Sequence, residues 1–256
     1  MGLDVSKTVV DSFATLFNNK SAALFAIIGS GISLILSSIL LLGITAVSSF
    51  MLYGSGSGLS PLSFNANMLI LSIAILIIGY FVSVFMYGAI ISAVYAGAKG
   101  SITNAARTAY HRLLYLAATF ILFSIIVIIG MVCFIIPGIY LYTRLSLSMP
   151  ETVVGGKGPI DALKGSWSKT RGNAFPVFLV LLIIFIATSA IALISMIPTL
   201  LTAFIGGLLL LVVSAILQLI VGFFNYAMMI GQVLIYGKFK QADVTAKAST
   251  GKAAKK

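Results

Sequence analysis

The chain has 256 residues, of which 60% are apolar and 8% charged, against roughly 45–50% and about 25% in soluble domains. That is too little charge to clothe a soluble surface, so the composition describes an integral membrane protein, an all-α bundle. Five acidic residues (Asp4, Asp11, Glu151, Asp161, Asp243), one histidine (His111) and one cysteine (Cys133) leave no cluster for paired-carboxylate catalysis, phosphoryl transfer or metal binding. No enzymatic activity, cofactor or metal is expected.

Spans of about 20 apolar residues cross a bilayer as helices, and such runs begin after a short amphipathic N-terminus. There Val5, Val9, Phe13, Leu16 and Phe17 share one face, with Asp4, Lys7, Asp11 and Asn18 turned away, the pattern of an interfacial helix. The first span covers 22–50. It is too long for the apolar core of a signal peptide, so no cleavable leader is expected. Loop 51–66, rich in Gly and Ser with Pro61, follows as a flexible outer loop. The second span is 67–96, the third 113–135, and Pro137-Gly138 marks a tight outer turn into a fourth at 138–154. The fifth is 174–197. The remaining apolar stretch, 199–236, would be about 57 Å long as one helix, too long for one crossing. Pro198 and Gly206-Gly207 suggest an outer re-entrant or interfacial segment over 198–207, then a sixth span at 208–236. Residues 1–237 thus form one membrane domain, and 238–256 a basic tail expected to be disordered.

The formal charge of +11 is concentrated at the N-terminus, at 99–112, at 157–171 and in the tail, while 51–66, 129–138 and 196–207 carry none. This is the positive-inside pattern. It predicts a multi-pass protein of the cell membrane with both termini cytoplasmic, and argues against a nucleic-acid partner. Cys133, inside an apolar run, reads as a small hydrophobe.

The two basic loops repeat each other. Gly97-Ala98-Lys99-Gly100-Ser101-Ile102 aligns with Gly155-Gly156-Lys157-Gly158-Pro159-Ile160, then Asn104 with Asp161, Arg107 with Lys164, Tyr110 with Trp167 and Arg112 with Lys169. A fainter N-terminal copy places Asp11 and Phe17 at the capping and aromatic positions. The chain therefore reads as three parallel units, each an elbow helix followed by an out-and-back hairpin. The elbow residues Arg107, Tyr110, Arg112, Lys164, Trp167, Lys169 and Arg171 suit either anionic lipid headgroups or simple anchoring. His111 reads as a further headgroup contact.

Within the spans, Arg144 lies near the middle of the fourth, seven residues before Glu151. An arginine there costs roughly 2.5–3.5 kcal/mol on insertion scales, so it faces protein or water. It either pairs with Glu151 or caps carbonyls to lock the bundle, or it binds a substrate. Gln218, Asn225 and Gln232 recur every seven residues on one face of the sixth span, as interhelical glue or as the lining of a polar cavity. Gly29, Ser33 and Ser37, with Gly79 and Ser83, follow small-xxx-small spacing for close packing, internal or between copies.

Ile136-Pro137-Gly138-Ile139-Tyr140-Leu141, Arg144-Leu145, Met149-Pro150-Glu151, Ala162-Leu163-Lys164-Gly165-Ser166-Trp167, Thr170-Arg171-Gly172-Asn173 and Val233-Leu234-Ile235-Tyr236-Gly237-Lys238 together resemble a known signature. It is that of the membrane-domain family of glycerophosphodiester phosphodiesterases and related prokaryotic membrane proteins. The resemblance implies a six-helix membrane domain and no phosphodiesterase activity, since that chemistry resides in a separate soluble barrel. Two functions remain open. The first is a non-enzymatic protein organising lipids or partner proteins (another membrane protein, or its own second copy) at the inner leaflet. The alternative is a transporter or channel for a small solute or lipid, built around Arg144, Glu151, Gln218, Asn225 and Gln232.

Overall fold

The computed structural model describes residues 3–53, 61–97, 101–205 and 208–253. Among them the chain is all-α, in the order α1 (Val5–Asn18), α2 (Lys20–Tyr53), α3 (Pro61–Ala96), α4 (Ile102–Cys133), α5 (Ile135–Leu145), α6 (Ser148–Val153), α7 (Pro159–Lys169), α8 (Ala174–Ile205) and α9 (Leu208–Ala253). Among the described residues, five stretches are long and apolar enough to cross a membrane: Lys20–Ile39, Ile70–Ala96, Ile102–Cys133, Ala174–Pro198 and Val212–Thr245.

The expected fourth span is not one helix. The limb 135–153 breaks at Ser146-Leu147 into α5 and α6. Pro150 is the cause in the chain. It has no N–H to give the carbonyl four residues back, and its ring clashes with that carbonyl, so a helix restarts with proline in its first turn. The limb still runs antiparallel along α4. Gly138 meets Gly130 near one end, Thr152 Oγ1 lies 3.0 Å from Thr119 Oγ1, and Arg112 Nη1 donates to the Gly156 carbonyl at 3.0 Å near the other. A methyl added at Gly138 would stand 2.8 Å from the Met131 Cα, so glycine permits this close return.

Several other expectations need correction. The turn between α4 and α5 is the single extended residue Phe134, and Pro137-Gly138 lie inside α5. The third elbow helix is separate, as α7, and the first is α1, but the second is continuous with its span: α4 runs unbroken from Ile102. The capping residues are Asp4, Ser101 and Gly158, so Asp11, Asn104 and Asp161 are not caps. Helix α3 starts at Pro61, six residues before expectation, and 54–60 lie outside the described residues. Helix α8 continues through Pro198 to Ile205 instead of turning back. In an apolar environment every broken backbone bond is costly, so one missing N–H does not end the helix. Residues 206–207 lie outside the described residues. The tail extends α9 as helix to Ala253, consistent with its run of Gln, Ala and Lys, which are good helix formers.

The long helices and the α5–α6 limb form a ring in which α2 touches α3 and α9, α3 touches α4, α4 touches α5, and α8 touches α9 and, more thinly, α5. The core draws on every limb of the ring, around Phe25, Ile90, Leu116, Leu147, Ile184, Ile230 and Tyr236. Helix α1 is docked rather than free. It buries Thr8, Ser12 and Leu16 and packs Val5, Val9 and Phe13 of the expected apolar face, partly buried, against the core, while Phe17 is exposed. Lys238 Nζ donates to Thr8 Oγ1 at 2.7 Å, and Phe13 and Phe17 stack on Phe224 of α9.

Candidate functional site

Helix α7 is short, starts with Pro159 at its first position and is flanked by left-handed Gly156 and Gly172, where glycine adopts positive φ without strain. Its inner face, Ala162, Leu163, Ser166 and Thr170, is buried, while Lys164, Trp167 and Arg171 are exposed. This amphipathic helix closes the break between α5 and α6. Ser166 Oγ donates to the Arg144 carbonyl at 2.8 Å and accepts the Leu147 N–H at 3.1 Å, and Thr170 Oγ1 donates to the same carbonyl at 3.1 Å. Backbone groups orphaned by the break are thereby satisfied, as buried polar groups must be. Neither hydroxyl was singled out from the sequence, although their four-residue spacing places both on one helical face.

Glu151 is fully buried, and its partners come from three elements. Lys169 Nζ lies 2.9 Å from Oε1, Lys157 Nζ 3.2 Å from Oε2, and the Tyr236 hydroxyl donates to Oε2 at 3.4 Å. Lys169 also sits 4.4 Å above the Tyr236 ring. A methyl at Gly155 would stand 2.7 Å from Oε2 of Glu151, and one at Gly165 3.0 Å from Oε1. Two glycines therefore leave room for the carboxylate.

The expected pairing of Arg144 with Glu151 is not made. Arg144 is 4% exposed and its guanidinium lies 4.4 Å from the Trp167 ring centre and 5.9 Å from that of Tyr140, in cation–π contact. The amide stripe divides as well: Gln232 is buried, whereas Asn225 and Gln218 are exposed. Nor do the elbow residues act alike. Lys169 is committed to Glu151, and Arg112 to Gly156 and the Tyr115 ring. Arg107, Tyr110, His111, Lys164, Trp167 and Arg171 are exposed. Of the small-residue stripes, Gly29 packs under Tyr226 and Gly79 touches Leu36, but Ser33, Ser37 and Ser83 are exposed. The close helix contact is instead Ser30 on Gly222. Among the described residues no three His, Cys, Asp or Glu side chains gather as a metal site.

These features define a polytopic α-helical membrane protein with a basic amphipathic helix sealed into a broken helical limb. The chain belongs to a family described as a domain of unknown function, DUF7847, which matches residues 8–237. The match runs from within α1 into α9, so it takes in the α5–α7 assembly. No curated protein and no solved structure matches the chain.

Proposed function

We propose that this protein is a non-enzymatic organiser of anionic lipids at the inner leaflet of the cell membrane. Arg107 and Tyr110 on α4, with Lys164, Trp167 and Arg171 on α7, are the contact residues. The supporting observation is how the cations divide. Lys157, Lys169, Arg112, Arg144 and Lys238 are engaged within the fold, whereas Arg107, Lys164 and Arg171 are exposed beside exposed aromatics. Basic side chains beside interfacial aromatics are what an anionic headgroup layer attracts, at about 1 kcal/mol per cation.

In this reading the α5–α6 limb is the fourth of six crossings. Its 112–130 partner segment on α4 is about 27 Å long, close to the hydrocarbon thickness of about 30 Å. Six crossings return both termini to the cytoplasm beside α7. Kinship with the membrane domain of glycerophosphodiester phosphodiesterases and a three-unit repeat belong to the same reading. Discrete α1 and α7, each leading into a long apolar helix, support the repeat. The transport alternative draws on the broken limb. It is weakened because Arg144 turns to Trp167 while Gln218 and Asn225 are exposed.

The test is lipid co-purification. The triple variant Arg107→Gln, Lys164→Gln, Arg171→Gln should retain at least tenfold less phosphatidylglycerol than wild type at unchanged phosphatidylethanolamine. Equal retention would remove the basis of the proposal.

A further inference from the structure

Arg144 is a buried cation without an anion. It is 4% exposed, yet its side chain makes no ion pair and no hydrogen bond among the described residues. Its contacts are the Trp167 ring at 4.4 Å and the Tyr140 ring at 5.9 Å, and those two rings stand edge to face at 6.0 Å. An aromatic face attracts the charge but satisfies none of the five N–H donors, which lie in the guanidinium plane. Buried charges are ordinarily paired and hydrogen-bonded. Glu151, the carboxylate of the same limb, is already held by Lys157, Lys169 and Tyr236.

The unpaired donors reach the surface. Nε is wholly enclosed, whereas Nη1 and Nη2, equally without a partner, keep accessible area. The flanking rings of Trp167 and Tyr140 are 40% and 49% exposed. Thr170, which donates to the Arg144 carbonyl, lies four residues before α8 begins. In the six-crossing reading that is the inner-leaflet end of α8. Lys164 and Arg171 are exposed on either side of Trp167 in the chain, while Asp161, the one carboxylate of α7, is in its first turn.

We infer that Arg144 binds one phosphate group, carried by an anionic lipid headgroup or free in solution. Nη1 and Nη2 donate to two phosphate oxygens, the end-on fork that arginine offers such anions. The Trp167 ring holds the guanidinium plane, and Lys164 and Arg171 draw the anion in. A choline headgroup would bring a fourth cation against these three, so it is disfavoured. The inference rests on the lipid-organising reading and adds to it a defined one-to-one site.

Trp167 is the only tryptophan of the chain, so its emission reports binding at the guanidinium beside it. The full chain in neutral detergent is titrated with dioctanoyl phosphatidylglycerol, dioctanoyl phosphatidylcholine and inorganic phosphate. Phosphatidylglycerol should give a saturable one-to-one change that phosphatidylcholine does not. Arg144→Met should weaken it at least about tenfold, the scale of a charge-assisted hydrogen bond. Arg144→Lys keeps the charge without the fork and should weaken it severalfold; this variant decides the matter if Arg144→Met fails to fold. Saturation by inorganic phosphate, competing with the lipid and weakened by the same variants, would make soluble phosphate the source, and a response to phosphatidylglycerol alone would make it the headgroup. No saturable response to either, an equal response to phosphatidylcholine, or wild-type affinity in Arg144→Lys would overturn the assignment. Co-purification reads the exposed cations with Arg144 intact. A fall in lipid retention in that triple variant, with wild-type titrations in the Arg144 variants, would therefore remove this site alone.

Discussion

Removing the buried carboxylate gives the sharpest energetic prediction. Glu151 is fully buried, and Lys169, with its side chain 17% exposed, is its nearest partner at 2.9 Å, whereas Lys157 is 40% exposed at 3.2 Å. Deleting one member of a buried pair typically costs about 3–5 kcal/mol, because the other is left uncompensated. An exposed pair contributes about 0–1 kcal/mol. Glu151→Gln and Lys169→Met should therefore each destabilise by about 3–5 kcal/mol, and Lys157→Met by under about 1 kcal/mol. The double change Glu151→Gln, Lys169→Met removes both charges and should be milder than either single change. Reversible unfolding in mixed micelles, with increasing denaturing detergent, measures each difference. If Lys157→Met cost as much as Lys169→Met, or the double variant equalled the sum of the singles, the assignment of this carboxylate to a buried α6–α7–α9 lock would be wrong.

Further expectations follow from the same geometry. Ser166→Ala orphans the Leu147 N–H and removes one donor from the Arg144 carbonyl, and should cost about 1–3 kcal/mol in the same unfolding assay. Trp167→Leu removes the ring above Arg144 and should cost about 0.5–2 kcal/mol, with Trp167→Phe intermediate. Gly138→Ala should lower the unfolding midpoint clearly, since its methyl would meet the Met131 backbone, while Gly158→Ala, with open space around it, should not. Cys133 is exposed at the end of α4 opposite α7. With six crossings, a membrane-impermeant maleimide should label it from outside intact cells, and labelling only after permeabilisation would reverse the topology.

The sequence made the long helices legible because a bilayer demands runs of about 20 apolar residues, and that signal survives without any neighbours. It hid the break in the fourth limb, because neither glycine nor proline stands at Ser146-Leu147 and the restart depends on Pro150 together with hydroxyls from another helix. Arg144 in a span needs protein or water around it and is buried, but its seven-residue spacing to Glu151 pointed to a pairing that is not made. The partners of Glu151 are Lys157, 6 positions on, Lys169, 18 positions on, and Tyr236, 85 positions on, and no local pattern specifies the two distant ones. The amide stripe of α9 misled for a related reason. Helical phase places Gln218, Asn225 and Gln232 on one face, yet burial depends on where the neighbouring helices reach, and they cover Gln232 alone.

The lipid-organising account is tested most directly at Trp167, the single tryptophan of the chain, which is 40% exposed between Lys164 and Arg171. Its fluorescence in vesicles should be quenched more strongly by brominated phosphatidylglycerol than by equally brominated phosphatidylcholine. That preference should vanish in Lys164→Gln, Arg171→Gln. Equal quenching by the two lipids in the wild-type protein would contradict the account.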